Sequence, residues 1–331
     1  MKQTVPMRRT LPHPVPSPAG GRGGVIVARR ATSSFHKSGG VALILVMWVV
    51  AFMTVLLGSF ALMARTENLE SRHMFDTTAA RYDAIAGVEL ALFQLRNPDP
   101  MQRWVADGRS YEIPYEGAIV HVEITNESGK IDLNVADSST LMTLFQFAGL
   151  DLGASEAMSD AIQDWRDVDN DVRPHGAEAP QYAAAGLDYG PTNLPFQTVS
   201  EVQQVLGMNY ELFKRIEPAI TLYSGSRTPN PAYAPFEALM AIPGMTTQLA
   251  QQIIAARQAA PPGTTGAIEG LTLPGGGAVM ATGGGVTYSI KSKATLQNGV
   301  SITFDTTIRM GGMSSSGRPY TVLRWRDGEA S

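Results

Sequence analysis

Cysteine is absent from the 331 residues, which excludes disulfide bonds and metal sites built on thiolates. Acidic residues are missing from the first 40 positions, which instead contain seven basic residues: Lys2, Arg8, Arg9, Arg22, Arg29, Arg30 and Lys37. The other positions therefore hold 19 of the 26 basic residues and all 30 acidic ones. Because phosphate contacts need clustered Lys and Arg, a body this acidic is a poor match for nucleic acid. Its charge suits calcium or basic partners instead.

Charge is also missing from the 24 residues between Val41 and Ala64. As a helix, this stretch would be about 36 Å long, enough to cross a hydrocarbon layer of about 30 Å. Core helices of soluble proteins seldom run this long without a polar face. Basic residues precede the stretch, and Glu67 and Glu70 follow it. The positive-inside rule then predicts a single-pass inner-membrane protein with a cytoplasmic N-terminus and a periplasmic body.

The sequence just before the apolar stretch is distinctive. It reads Lys37-Ser38-Gly39-Gly40, followed directly by Val41. An ordinary secretory signal has a shorter apolar region and a cleavage site of small residues after it. A basic segment that ends in Gly before the apolar helix instead resembles the site cut by prepilin peptidase. Cleavage after Gly40 would keep the helix and make Val41 the new N-terminus.

Beyond the apolar stretch, residues 65–95 become amphipathic. Leu69, Ala80, Ala84, Val88 and Leu92 recur mostly at four-residue steps, with charged residues between them. Proline is absent throughout residues 41–95, so the pattern predicts one continuous helix. The Asn-Pro-Asp-Pro sequence that follows would end it.

The rest of the chain predicts an α+β fold with a small antiparallel sheet interrupted by a large all-α insertion. Alternating, strand-like segments flank a long helical region, and two Gly-Gly-Gly runs mark a join before the last strands. The predicted division is a leader at 1–40, a transmembrane helix at 41–64, its amphipathic continuation at 65–95, the first part of the sheet at 96–136, the helical insertion at 137–272, and the Gly-rich join with the C-terminal strands at 273–331.

Four sequence elements together resemble the minor pseudopilin K family of type II secretion systems. They are the Gly-then-apolar start, the Gly-Lys-Ile-Asp-Leu-Asn-x-Ala segment at 129–136, the Asp-Trp-x-Asp-x-Asp run at 164–169, and the terminal Tyr-Thr-Val-Leu-Arg-Trp at 320–325. The resemblance implies a non-enzymatic protein at the tip of the periplasmic pseudopilus, which initiates and caps assembly for export across the outer membrane. It also implies minor pseudopilins I and J as partners in a tip complex, together with prepilin peptidase and the inner membrane.

The fifth residue after the predicted cut is Leu45. Most pilins and pseudopilins have Glu at this position, where the carboxylate neutralises the N-terminal amine of a neighbouring subunit. An unpaired carboxylate in lipid is costly. A subunit with no neighbour ahead of it would gain nothing from that group, so Leu45 fits the tip position that the resemblance implies.

An acidic cluster follows the helical pattern near position 164. Its spacing matches an EF-hand calcium loop, with carboxylates at loop positions one, three, five and twelve and a carbonyl at seven. These positions correspond to Asp167, Asp169, Asp171, Glu178 and the carbonyl of Arg173. Position six, usually Gly, is Val172. We predict a structural calcium site, with a solvated acidic loop and a metal hydrolase site near His175 as the alternatives.

A helical repeat occurs later in the chain. Gly207-Met208 and Gly244-Met245 are each followed by Leu and Ile at the same four-residue spacings, and the second copy resembles a helix-hairpin-helix DNA-binding motif. Such hairpins bind phosphate through backbone N–H groups and nearby cations. No Lys or Arg occurs between Pro235 and Ala256. We therefore predict a packing module and no nucleic-acid partner, with a membrane-tethered DNA-uptake protein as the alternative function.

Gly40→Leu is expected to leave the precursor uncut, because the peptidase site should require a residue without a side chain before the cut. N-terminal sequencing of protein extracted from membranes measures the outcome, and the unchanged protein should begin at Val41. A mature protein that begins after Ala64 would instead reveal an ordinary secretory signal.

Overall fold

The computed structural model describes residues 39–115, 117–264, 267–280, 284–311 and 319–327. Its helices are α1 Gly39–Leu95, α2 Ser138–Phe147, α3 Leu152–Arg166, α4 Ala179–Ala184, α5 Tyr210–Ile216, α6 Phe236–Met240 and α7 Thr247–Ala259. Its strands are β1 Asp107–Tyr115, β2 Ala118–Asn126, β3 Ile131–Asp132, β4 Ile220–Thr221, β5 Ala267–Thr272, β6 Ala278–Met280, β7 Thr287–Leu296, β8 Ser301–Met310 and β9 Tyr320–Asp327. The architecture is α+β, as the sequence predicts.

The N-terminal helix α1 is continuous over 57 residues, as the absence of proline predicts. The described residues divide into two units, one that ends at Arg65 and one that begins at Thr66. In the first unit, the helix from Val41 onward is long and apolar enough to cross a membrane, and its large apolar side chains are exposed. Of the predicted leader, only Gly39 and Gly40 fall within the described residues, where they begin α1.

In the second unit, one face of α1 packs against a five-stranded sheet. The strand order is β1-β2-β7-β8-β9, and every neighbouring pair is antiparallel. Side chains of β2 alternate between buried and exposed, and the buried Val120 and Val122 share one core with Ala84 and Val88 of the helix. The helix approaches the sheet closely, because a Cβ on Gly87 would overlap side chains of β2 and β7.

The helices α2 to α7 form an insertion between two neighbouring strands. β2 and β7 pair over nine residues, and the pairing ends at Asn126 opposite Tyr288. A short hairpin loop would be enough to join them. Instead the chain departs at Asn126 and returns at Thr287. The intervening residues build a second hydrophobic core that includes the fully buried Trp165 and Tyr182.

The insertion starts earlier than the predicted position 137. Ile131 and Leu133 belong to its core, and β3 pairs in parallel with β4, which lies inside it. Alternation of apolar and polar residues identifies a strand but not its partner, so the sequence alone groups these residues with the sheet. The hairpin of β5 and β6 is a second difference. Gly276 lies in its turn with a φ of +82°, so part of the Gly-rich join is a tight turn.

The Gly-Lys-Ile-Asp-Leu-Asn segment fastens the start of the insertion to its later parts. Gly129 leaves no room for a side chain, since a Cβ there would overlap the backbone of the facing loop. The buried carboxylate of Asp132 accepts a hydrogen bond from the N–H of Gly225 at 2.8 Å. Asn134 exchanges two hydrogen bonds with the backbone of Phe196, at 2.7 and 3.1 Å. These contacts give the sequence motif a structural role.

A buried carboxylate, that of Glu127, joins the sheet to the insertion. It accepts hydrogen bonds from Ser289 of β7 at 2.7 Å and from Thr221 of β4. It also pairs with Lys130 at 2.7 Å. Burial alone would raise the pKa of Glu127, but the ion pair and the two hydroxyl donors outweigh it, so the pKa lies below its ordinary value. Glu127 is therefore charged at neutral pH and stabilises the folded state.

Glu127→Gln is expected to lower the free energy of unfolding by about 3 kcal/mol, because it leaves the largely buried Lys130 ammonium without its counter-ion. Since the folded pKa of Glu127 is below the ordinary value of 4.5, its contribution is present above that pH and is lost as the pH falls through the folded pKa. Denaturant unfolding of the detergent-solubilised protein measures the difference between the two proteins at each pH.

The exposed carboxylate of Glu112 provides a control for this measurement. Glu112→Gln should change the stability by well under about 1 kcal/mol. A Glu127→Gln effect that stays constant from about pH 7 down to about pH 3 would mean that the carboxylate charge contributes nothing.

Candidate functional site

The acidic loop predicted to bind calcium begins at a fixed helix end. Trp165 of α3 is fully buried and donates its indole N–H to Glu201 at 3.0 Å. Arg166, the last residue of α3, donates to two carbonyl oxygens at the start of the insertion. Asp167 is the C-terminal cap of this helix. The core of the insertion therefore sets the position of the first predicted ligand.

One guanidinium pairs with two carboxylates at the base of this loop. Arg173 donates through Nη1 to Asp164 at 2.6 Å and also to Asp167. The backbone N–H of Arg173 donates to the second oxygen of Asp164 at 3.3 Å, so this fully buried carboxylate has a donor for each oxygen. Gly176 provides the space, because a Cβ there would overlap the Asp164 carboxylate.

Glu178 brings a third carboxylate to the cluster, and its side chain is only 2% exposed. It faces the first turn of α4 in a capping box, where the backbone N–H groups of Ala179 and Gln181 approach the carboxylate, although neither contact meets strict hydrogen-bond geometry. Burial raises the pKa of Glu178, and the negative charges of Asp164, Asp167 and Asp169 raise it further. One oxygen of Asp167 is likewise buried without a donor. Such orphaned oxygen atoms are uncommon, since buried polar groups are nearly always hydrogen-bonded.

Two further predicted ligands, Asp169 and Asp171, lie at the exposed end of the loop. The Asp169 carboxylate accepts a hydrogen bond from the N–H of Asp171 at 3.0 Å. Asn193 holds this end in place by donating to the carbonyl of Asp169 at 2.8 Å. Its φ of 51° lies in the left-handed region, which Asn adopts more readily than most residues. The carbonyl of Arg173, the remaining predicted ligand, accepts a hydrogen bond from Gly176 at 3.0 Å.

The structure thus brings some of the predicted ligands together and leaves others apart. Within the described ranges, no three acidic or His side chains are arranged to hold a metal ion, and the Arg173 guanidinium lies between the Asp164 and Asp167 carboxylates. The calcium site remains a prediction. The EF-hand spacing misses Asp164 and the guanidinium, because it counts only ligands inside the loop. In the sequence, Asp164 could have been recognised as part of the cluster by its position one residue before Trp165, which is fully buried.

His175, the imidazole considered for a hydrolase site, lies outside this cluster. Its side chain is more than half exposed, and Nδ1 is 3.7 Å from the carboxylate of Asp160. The backbone N–H of His175 donates to the same carboxylate at 3.2 Å. A hydrolytic site therefore gains no support from this residue.

The two predicted hairpin repeats share one backbone geometry. Gly207 and Gly244 both have positive φ, at +88° and +79°. Each is followed by an N-cap, Asn209 or Thr246, whose side chain accepts a hydrogen bond from the N–H three residues later. These caps begin α5 and α7. The repeat in the sequence is therefore a repeat in the structure.

The second hairpin packs against other parts of the protein. Gly244 is covered by Pro274, whose Cβ would lie 3.1 Å from a Cβ on the glycine. Arg257 of α7 is buried and donates to three backbone carbonyls. Burial lowers the pKa of Arg257 to about 10. Gly244 is covered by Pro274, and the Arg257 guanidinium donates to carbonyls inside the protein. Both observations favour the interpretation of this repeat as a packing module.

The predicted processing site lies at the first residues of α1. Gly39 and Gly40 open the helix, and Val41 follows. Leu45 is 62% exposed. The first acidic side chain after the predicted cut is Glu67. An apolar side chain therefore stands at the fifth position after the predicted cut, within a helical segment that carries no charge.

Comparison with known proteins points to one family. The family model described as type II secretion system (T2SS), protein K, matches residues 123–225. The type II secretion system protein K of Klebsiella pneumoniae is 24% identical over 251 residues, which cover 68% of this chain and 76% of that protein. The protein of the same name from Pectobacterium carotovorum subsp. carotovorum is also 24% identical, over 55% of this chain and 62% of that protein, somewhat less than two thirds of its length.

A solved structure is also similar. It is the crystal structure of the GspK-GspI-GspJ complex from the enterotoxigenic Escherichia coli type 2 secretion system, with a TM-score of 0.49, 16% identity, and coverage of 80% of this chain and 99% of that one. The resemblance that the sequence motifs indicate is confirmed by the family model and the curated relatives.

Proposed function

We propose that this chain, which resembles the type II secretion system protein K family, is a minor pseudopilin that caps the tip of the pseudopilus. The N-terminal helix would anchor it in the inner membrane, with the N-terminus in the cytoplasm and the body in the periplasm. Its role would be in assembly for protein export, not in catalysis. The observation that carries this proposal is the place where the insertion leaves the sheet.

The insertion leaves the sheet beside the C-terminal end of α1. Leu95, the last residue of that helix, lines one cavity with Asn126 and Tyr288, the pair at which the sheet register ends. Further back along the helix, Asp76 accepts a hydrogen bond from Asn298, in the turn between β7 and β8, at 2.7 Å. The insertion therefore lies at the end of the sheet nearest the C-terminus of α1.

In a filament of parallel N-terminal helices, the next subunit would be added beyond that same end. The insertion has its own hydrophobic core, and Glu127 ties it to the sheet. A body of this kind is a steric block and not a flexible appendage. Leu45 agrees with this position, because a subunit with nothing ahead of it has no N-terminal amine to neutralise.

A stripe on α1 supports packing against partner subunits. Phe75, Tyr82 and Phe93 recur at intervals of seven and eleven residues, which brings them to one face of a helix. Each is about two thirds exposed or more. We assign this face to the helices of partner subunits. The family resemblance implies that these are minor pseudopilins I and J, with prepilin peptidase acting on the precursor beforehand.

The acidic loop supplies the proposed structural calcium site. Calcium takes six to eight oxygen ligands, and the orphaned oxygen atoms of Asp167 and Glu178 are of this kind. The EF-hand spacing adds Asp169, Asp171 and the carbonyl of Arg173. A bound ion would neutralise the clustered carboxylates and join the end of α3 to the start of α4.

Calcium is expected to raise the melting temperature of the detergent-solubilised protein by about 5 to 10 °C at a concentration near 100 times the dissociation constant. The double variant Asp167→Asn/Glu178→Gln should lose this gain, because it removes the orphaned carboxylates. Glu211→Gln, an exposed carboxylate of the same insertion, should keep the gain in full. Identical melting curves in calcium and in chelator would exclude the site.

Replacing residues 127–287 with a two-residue Asn-Gly turn is expected to remove the proposed cap, since Asn126 and Tyr288 form the last pair between β2 and β7. The shortened protein should still insert in the membrane, because the apolar part of α1 is unchanged, and it should still fold, because α1 and the sheet share a core that excludes the insertion. Electron microscopy should then show filaments that are longer and more variable than in the parent strain, and secretion should fall. An unchanged length distribution, with the variant present in membranes, would contradict the capping mechanism.

A further inference from the structure

Two loops of the insertion expose large apolar side chains. Val168, in the loop after α3, is 83% exposed, more than any other large apolar side chain in the described part of the chain, those of α1 included. Val172 of the same loop is about half exposed, and Leu194, in the loop after α4, is 59% exposed. Single exposed apolar side chains are normal, whereas several in one place mark an interaction site.

Hydrogen bonds between the two loops bring these three side chains, the apolar patch, to one surface. Asn193, directly before Leu194, donates to the carbonyl of Asp169 at 2.8 Å. Thr192 donates at 3.5 Å to the carbonyl of Trp165, which is fully buried in the core of the insertion. Because the loops are fixed to each other and to the core, the patch is preformed, and binding to it would cost little ordering of the chain.

The loop that carries Leu194 is longer than most connections. Residues 185–198 contain no helix or strand, between α4 and a short helical turn that begins at Val199. Connections longer than about 12 residues are uncommon in compact domains and usually serve a function. This loop buries Phe196 in the core, yet Leu194, two residues earlier, remains in solvent. Its exposed part therefore fits a role in binding.

The charge around the apolar patch is strongly negative. Residues 131–213, which include both loops, contain 13 acidic residues and two basic ones, Arg166 and Arg173. Both arginines are already paired, since Arg166 donates to two backbone carbonyls and Arg173 to the carboxylates of Asp164 and Asp167. A surface potential of one sign attracts partners of the opposite sign and repels others. The patch therefore matches a basic surface that presents apolar side chains of its own.

We infer that the apolar patch is a docking surface for a partner protein that presents apolar side chains framed by Lys and Arg. The inference goes beyond capping, which needs only the bulk of the insertion and not this surface. It is also independent of the proposed calcium site, since none of the three side chains is among the proposed ligands. The negative charge steers the partner to the insertion, and the apolar side chains are then buried against it.

Photo-crosslinking of the full-length protein in secreting cells provides the test. A benzoylphenylalanine probe at position 168 or 194 should form an adduct, and the partner peptide in it, sequenced by mass spectrometry, should be rich in Lys and Arg. Leu152 is the matched control position, because it is 56% exposed but lies at the start of α3, about 20 Å along that helix from the loop that follows it. A probe at position 152 should give only background.

Leu194→Ser should reduce the adduct formed at position 168 by about tenfold, because it removes one apolar side chain from the contact. Leu152→Ser should leave that adduct unchanged. Both side chains are exposed, so both variants should melt at the temperature of the unchanged protein. Filament length and any gain in melting temperature with calcium should also be the same in Leu194→Ser as in the unchanged protein.

The docking surface is overturned if positions 168 and 194 give no more adduct than position 152, or if Leu194→Ser leaves the adduct undiminished. An acidic or neutral partner peptide overturns the assigned chemistry, and a second copy of this chain in the adduct overturns the assignment to a different protein. Failure of the capping account would appear in filament lengths, and failure of the calcium site in melting curves. Neither would change the crosslinking result.

Discussion

The carboxylate of Glu127 is the contact on which the rest of the arrangement depends. It accepts hydrogen bonds from β4, which belongs to the core of the insertion, and from β7, which belongs to the sheet. The residues that follow it, from Gly129 to Asn134, continue directly into the insertion and bind its later loops. An insertion of this size, which begins where the pairing of β2 with β7 ends, needs such a contact to hold it against the sheet. Together with the hydrogen bond from Arg257 to the Asp107 carbonyl of β1, this contact fixes the insertion to the sheet.

The acidic loop depends on the same fixed start. Arg166 donates to carbonyls just beyond the Gly-Lys-Ile-Asp-Leu-Asn segment, and Trp165 lies in the core beside it. The carboxylates that surround Arg173 are therefore positioned by packing and backbone contacts before any metal is considered. This order of construction explains how a cluster rich in negative charge survives as a folded unit. The loop is therefore a folded element whether or not it binds the proposed ion.

The sequence predicts the elements of this fold better than it predicts their partners. Period-two alternation predicts the strand β2, and the absence of proline predicts the continuous helix, because both signals are local. The pairing of β3 with β4 is set by residues almost ninety positions apart, so no local pattern contains it. The same holds for the site. Spacing within the loop indicates Asp167 and Glu178, whereas Asp164 enters through the helix before the loop, and the role of the Arg173 side chain depends on where the fold places it.

The number of copies of this protein in each filament tests the capping account most directly. A gold or fluorescent label on the insertion can be counted on single pseudopili whose lengths are measured at the same time. The account predicts one labelled position at one end of each filament, independent of filament length. Labels spaced along the shaft, in a number that grows with length, would contradict it.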